Sequence, residues 1–288
     1  MGRRRVSGEA GKRVSESAGK GARRGALRAP LPSQAIESQS VKIRETPIPG
    51  PVPRFEIPGW RERYGVVAGI TGRGFDLGLW SSEPVGEVMN RWLTLRREMQ
   101  DFHATVLGRQ VHGVEVMSLD AGRGWIQVDS IDGWTTVTPG VLLTVTVADC
   151  IPVYLVVPEK GVALLHAGWR GTAGGILARG VHQLCDRTGS SQADVIMHCG
   201  VGICGPCYEV GCEVMQGCGA PAEGQGPWLL DLRELLTRQA RALGLNRATG
   251  SAWCSAHDRS SFYSHRASRG SDGRMVAYIG MAGKRGNR

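Results

Sequence analysis

The chain has 288 residues, enough for one large domain, with 41% hydrophobic residues to build its core and 42 glycines that call for many tight turns. Its net charge of +9 does not describe a basic folded surface. Residues 1–54 hold 12 of the 35 Lys/Arg but only 4 of the 26 Asp/Glu, which leaves 23 against 22 for the remainder. No apolar run is long enough to span a membrane and no secretory signal precedes the domain, so a cytoplasmic protein without membrane partners is expected.

Residues 1–54 are Gly/Arg/Ser-rich at first and Pro-rich at their end, with Pro47, Pro49, Pro51 and Pro53. Such a segment has little to bury and reads as a disordered basic leader. A solvated tail, a targeting segment and a nonspecific nucleic-acid contact are all compatible with it. The folded domain is expected over 55–288, beginning near Phe55. Tyr64–Ile70 reads as a strand, and the apolar rhythm of Val85, Val88, Met89, Trp92, Leu93 and Leu95 predicts a helix over Val85–Asp101. Thr105–Leu107 and Val114–Leu119 read as strands flanking the turn Gln110-Val111-His112-Gly113.

The middle of the chain carries the strongest signal. Val141–Val147 is a β-branched strand ending at Ala148-Asp149-Cys150, and Pro152–Val157 and Val162–Leu165 follow as two more strands. The last of these delivers His166 into the turn His166-Ala167-Gly168-Trp169-Arg170-Gly171. Thr172 then reads as the N-cap of a helix reaching Arg187. Asp194–His198 is a further strand, Asp231–Leu243 an amphipathic helix and Met275–Met281 a last strand. Strands and helices interleave without a repeat. The fold class expected is α+β: a single domain of layered mixed sheets flanked by helices.

Three residues suit one metal ion. Zinc takes imidazole nitrogen and thiolate sulfur, and a catalytic site leaves a fourth position for water or substrate. His112, Cys150 and His166 each stand at the edge of a β run beside glycine, aspartate or arginine. Their separations of 38 and 16 residues match no zinc-finger spacing, and a lone His or Cys at a strand end is more often a packing residue. Asp149 would orient a ligand or accept a proton. Arg170, just ahead of the expected helix start, would meet a phosphate.

The other cysteines are less informative. Cys204-Gly205-Pro206-Cys207 spells a dithiol redox motif, but it lies late in the chain rather than opening an early helix. A second metal in the cysteine cluster is the other alternative, but no ordered pair of Cys-x-x-Cys motifs is present, and the segment reads as a structural loop with incidental thiols. His198 reads as core, His182 as a solvated or packing residue, and Ser264 to Arg266 with Arg274 as an ordinary polar surface loop, with a contribution to a ligand pocket as the alternative.

The strings Gln110-Val111-His112-Gly113, Pro139-Gly140-Val141, Ala148-Asp149-Cys150-Ile151-Pro152-Val153, His166-Ala167-Gly168-Trp169-Arg170-Gly171 and Cys207-Tyr208-Glu209-Val210 occur in the order they take in the YfiH/YlmD family. From about Tyr64 to Met281 the chain resembles that family, whose members are also called laccase-domain proteins, polyphenol oxidases or peptidoglycan editing factor. The resemblance implies zinc on His112, Cys150 and His166, with copper the second choice. It also implies a purine nucleoside phosphorylase that acts on adenosine, inosine, guanosine and methylthioadenosine and deaminates adenosine. Its partners would then be a purine nucleoside and phosphate, with no specific nucleic acid, in a monomer or homodimer.

Two other activities go with the resemblance, a peptidoglycan-precursor amidase that uses the zinc or Cys150 as nucleophile and a copper phenol oxidase. The chain has no His-x-His pair of the kind multicopper clusters need. Two segments depart from the family pattern: Phe75-Asp76-Leu77-Gly78-Leu79 stands for Ser-Leu-Asn-Leu, and Phe262-Tyr263-Ser264-His265-Arg266 has His where Tyr is usual.

Overall fold

Six strands are buried along their whole length, among them the seven-residue strands Ile151–Val157, Gly161–Ala167 and Met275–Met281. A strand covered on both faces must lie inside a stack of layers, and the computed structural model, which describes residues 41–81 and 83–283, has four of them.

In chain order, β1 (Val41–Ile43), β2 (Thr46–Ile48) and β3 (Arg54–Glu56) precede the short helix α1 (Trp60–Tyr64) and β4 (Val66–Thr71). Helix α2 (Val85–Glu98) leads to β5 (Ala104–Arg109), β6 (Val116–Ser118), β7 (Gly124–Asp129) and β8 (Gly133–Thr136). The central run is β9 (Val141–Val147), β10 (Ile151–Val157) and β11 (Gly161–Ala167), followed by α3 (Trp169–Ala173), α4 (Ile176–Thr188) and β12 (Ile196–Cys199). The pair β13 (Glu209–Val210) and β14 (Trp228–Leu229) brackets α5 (Cys212–Gly217). Helix α6 (Leu232–Ala242), β15 (Arg247–Ser251) and β16 (Met275–Met281) complete the described chain.

Two seven-stranded mixed sheets result. One has the order β1-β15-β12-β10-β11-β8-β6 and the other β2-β3-β4-β16-β9-β5-β7. Between them Val141, Leu143 and Val145 of β9 and Ala277 and Ile279 of β16 share a core with Tyr154 and Val156 of β10 and Val162 and Leu164 of β11. Alternate residues turn outward. Val153, Leu155 and Leu165 pack under Leu177, Val181 and Leu184 of α4 and Leu236 and Ala240 of α6. Leu142, Val276 and Tyr278 pack under Val88, Trp92 and Leu95 of α2. Helix, sheet, sheet and helix thus succeed one another, the layered mixed architecture expected.

Several boundaries differ from the sequence reading. Ordered structure begins before Phe55, because Val41–Ile43 pairs in parallel with β15 and Thr46–Ile48 pairs with β3. Between these strands Glu45 is buried, and its carboxylate accepts from Ser251 Oγ at 2.8 Å and lies 3.0 Å from His198 Nε2. The Pro-rich stretch is therefore part of the domain, held by sheet edges and a buried polar network that composition does not reveal. The rest of the expected leader, residues 1–40, lies outside the described residues. The segment after His166 is not one helix capped by Thr172. Thr172 is buried inside α3, and Gly175, at φ 85°, breaks the chain before α4 starts at Ile176. Asp231, by contrast, caps α6, its side chain accepting from the Arg233 and Glu234 amides at 2.9 and 3.2 Å. Among the described residues no helix is long and apolar enough to cross a membrane.

Candidate metal centre

The two loops that carry candidate ligands lie where the chain crosses from one sheet to the other. His112 follows β5 and leads to β6, and Ala148-Asp149-Cys150 joins β9 to β10. His166, near the end of β11, shares the inward face of Leu164 and is 3% exposed. These crossings bring ligating atoms of His112, Cys150 and His166 within 4.8 Å of one another. The two imidazole rings meet edge to face with centroids 4.8 Å apart.

A residue missed in the sequence organises the group. Asp132, fully buried ahead of β8, accepts from His166 Nδ1 at 2.8 Å. It also accepts from the backbone amides of Val111, His112 and Gly113 at 3.1, 3.0 and 2.9 Å. One carboxylate therefore fixes the orientation of one ligand ring and the loop carrying another, while leaving His166 Nε2 for a metal. In the sequence Asp132 stands in Ile-Asp-Gly-Trp, which reads equally well as a turn.

Backbone strain marks the same loops. His112 and Asp149 have φ of 60° and 88°, a left-handed conformation unusual for side-chain-bearing residues. Asp132 holds the first. Asp149 is held by Ser255 Oγ at 2.6 Å and the Arg266 amide at 2.6 Å, one donor to each carboxylate oxygen. Gln110 is locked to β9 by three bonds to Thr146, two at its amide oxygen and one from its amide nitrogen.

The electrostatics are those of an ion pair between Cys150 and His166. Burial opposes charge on Cys150, but the His166 charge and a hydrogen bond from His112 outweigh it and draw the thiol down to about 6. Burial likewise opposes charge on His166, which the Cys150 thiolate and the Asp132 hydrogen bond raise to about 9. Asp132 stays below the usual carboxylate range: burial acts against its charge, and the His166 bond and charge and the loop amides prevail.

The donor set, two nitrogens and one thiolate, fits a divalent zinc-type ion with an open position. Gly168 keeps the approach clear. A Cβ there would come 3.0 Å from Cys150 Sγ and 3.2 Å from His112 Cδ2.

A cavity of about 890 Å³, within the range of small-molecule sites, is lined by the three candidate ligands. Asp149 and Arg170 line it, as do Tyr208, Arg266 and Arg274. Both segments that depart from the family pattern reach it too, through Asp76 and Gly78 on one side and Tyr263 and His265 on the other. Arg170 is exposed, with its guanidinium 4.4 Å from the Trp169 ring centroid. It belongs to the five-residue α3 rather than preceding a long helix, so its own charge, not a helix terminus, is what it offers an anion. Burial and the neighbouring Cys150 thiolate push the Tyr208 phenol up to about 12, which keeps it a hydrogen-bond donor.

Residues 59–282 match a family described as multi-copper polyphenol oxidoreductase laccase. The chain belongs to this family. It is 34% identical over 251 residues, 75% of this chain and 90% of the other, to the purine nucleoside phosphorylase YlmD of Geobacillus stearothermophilus. It is 34% identical over 138 residues, 45% of this chain and 52% of the other, to the adenosine deaminase RL5 of an unknown prokaryotic organism. In structure it resembles the hypothetical protein YfiH of Bacillus licheniformis, with a TM-score of 0.74 at 27% identity over 81% of this chain and 97% of the other. These laccase-family relatives support an enzyme of the purine nucleoside phosphorylase and adenosine deaminase kind.

Proposed function

We propose that the protein is a zinc enzyme of purine nucleosides, splitting adenosine, inosine, guanosine or methylthioadenosine with phosphate and deaminating adenosine. The observation that carries this reading is the convergence of His112, Cys150 and His166 at the floor of a cavity that also presents arginines. Zinc held there would supply a Lewis acid that polarises a substrate group or makes water acidic.

The chain's own groups divide the remaining work. Asp132 accepts from His166 Nδ1, which leaves Nε2 as the nitrogen that would bind the metal on losing its proton. Tyr208 stays protonated and offers a donor to the purine or ribose. Arg170 and Arg274 bring positive charge for phosphate or for the leaving purine. Asp149, held at both oxygens, lines the cavity beside Cys150 and is the carboxylate that would move a proton. The absence of any His-x-His pair argues against a multicopper oxidase centre.

A second reading has one observation in its favour. Cys150, His166 and Asp132 form a thiolate, imidazole and carboxylate chain of the kind that activates a nucleophile. An amidase acting on a cell-wall precursor would use it without a metal. Incubating the purified protein with adenosine, with and without phosphate, tests both. Adenine with ribose 1-phosphate, or inosine, lost on chelation and restored by zinc, is expected. Full activity of metal-free protein, or no turnover of any purine nucleoside, overturns the proposal.

A further inference from the structure

The two metal-type clusters found among the described residues are separate, and the mechanism uses one of them. The other joins Cys204 and Cys207 to Cys254 and His257, whose ligating atoms all lie within 4.8 Å of one another. Cys207 Sγ is 3.0 Å from His257 Nε2, and Cys204 Sγ is 3.7 Å from His257 Nδ1. In a tetrahedral zinc site with Zn–S bonds of about 2.3 Å, ligand atoms stand roughly 3.8 Å apart, so the 3.0 Å pair opens and the wider ones, none beyond 4.8 Å, close by no more than about 1 Å around an ion.

The sequence hides this arrangement because the second half is far away. Cys204-Gly-Pro-Cys207 and Cys254-Ser-Ala-His257 have the same two-residue spacing but are separated by 46 residues. Each is a tight turn. The first is a 3₁₀ turn over Gly205–Cys207, and the second is closed by Asp258, which accepts from the Cys254 amide at 2.8 Å. An isolated parallel bridge, Gly202 to Cys254, sets the turns side by side, and the Cys204 amide donates to Cys254 Sγ at 3.3 Å. Paired turns of this kind, with an amide pointing at a ligand sulfur, suit a closed structural zinc site with four protein ligands. Cys254 is buried while His257 is exposed, which leaves the ion a route in.

We propose that Cys204, Cys207, Cys254 and His257 bind a second, structural zinc ion. Its place gives it a purpose. Ser255, between two of the ligands, donates to Asp149, and Ile203, next to a third, donates its amide to the Asp149 carbonyl at 2.9 Å. An ion that locks both turns fixes the strained Asp149 and, with it, the adjoining Cys150. This holds whichever reaction the first centre performs.

Elemental analysis of the full chain, purified without chelator, should give two zinc ions per chain. The Cys150→Ala variant should keep one, and the Cys204→Ser/Cys207→Ser variant should keep the other. Cobalt loaded into Cys150→Ala should show the intense visible bands of a tetrahedral site and charge-transfer absorption from several thiolates, neither dependent on Cys150. A zinc content that Cys204→Ser/Cys207→Ser leaves unchanged, a Cys150→Ala variant without zinc, or a Cys204–Cys207 disulfide found by mass spectrometry after alkylation of the unaltered protein, overturns the proposal. In the unaltered protein Cys204 and Cys207 should resist alkylation until the metal is chelated, and their ready alkylation beforehand overturns the proposal even if a variant does not fold.

Discussion

Asp132 and His166 are joined twice, by a 2.8 Å bond between carboxylate and Nδ1 and by a 2.7 Å bond from the His166 amide to the Asp132 carbonyl. The same carboxylate gathers the amides on either side of His112. Replacing it with alanine frees one ligand ring and the loop of another. Asp132→Ala should weaken metal binding at the first centre by roughly 10–100-fold, with Asp132→Asn falling between it and the unaltered protein. Competition with a chelating dye measures this. Unchanged affinity in the alanine variant would show that the ligands are held by other contacts.

The Cys150–His166 pair gives the first centre a definite pH dependence. In the metal-free protein His166 holds its proton up to about pH 9, whereas Cys150 loses its own above about 6. Between these values an entering ion must displace the His166 proton, so affinity should rise about tenfold per pH unit. Below about 6 the dependence steepens, because Cys150 must also give up a proton. Titrations in the Cys204→Ser/Cys207→Ser background isolate this centre. A flat affinity from pH 6 to 9 would contradict the ion-pair description.

Gly168 is a test of space rather than charge. Its missing side chain is what lets the β11–α3 turn lie against Cys150 and His112. Gly168→Ala puts a methyl 3.0 Å from Cys150 Sγ, closer than ordinary contact. Metal affinity should drop at least about tenfold while the melting temperature moves by only a few degrees, since no core is disturbed. Parallel loss of fold and metal would mean that the turn is structural first.

How much of this could be read beforehand depends on where each signal resides. The buried runs β9, β10, β11 and β16 announce themselves because each carries its own apolar pattern, and Met275–Met281 was bounded to the residue. β15, Arg-Ala-Thr-Gly-Ser, carries no such pattern and is a strand only because β12 and β1 pair with it on either side. The three ligands of the first centre stood out because glycines and charges surround them. Asp132 and the Cys254–His257 half of the second cluster did not. Their meaning comes from partners 34 and about 50 residues away, which only the crossing of the sheets brings near.

Arg170 separates the two chemistries proposed for the cavity. It is exposed, and no neighbour among the metal ligands depends on its side chain, so removal should leave the fold and the centre intact. If it receives phosphate, Arg170→Ala should raise the KM for phosphate by about tenfold, the usual scale for losing one charged contact. Deamination of adenosine, which needs no phosphate, should change far less. Equal losses in both reactions would place Arg170 on the purine instead.

The last test concerns the amino-terminal edge, where sequence and structure disagree most. Truncation before Phe55 was the natural cut for a disordered leader, yet it removes β1, β2 and Glu45. His198 Nε2 and Ser251 Oγ would then lose their carboxylate partner in a buried setting, and β15 would lose its edge strand. Two buried polar groups left unsatisfied cost about 1–3 kcal/mol each, so stability should fall by about 3 kcal/mol or more, some 6–12 °C in Tm. A cut before Gln39 spares all of these contacts and should leave Tm and turnover unchanged. Because the metal ligands lie on the opposite side of both cuts in sequence, a shorter chain that loses zinc along with stability would be unfolding as a whole. Equal melting temperatures for the two truncations would show that β1 and β2 contribute nothing to the domain.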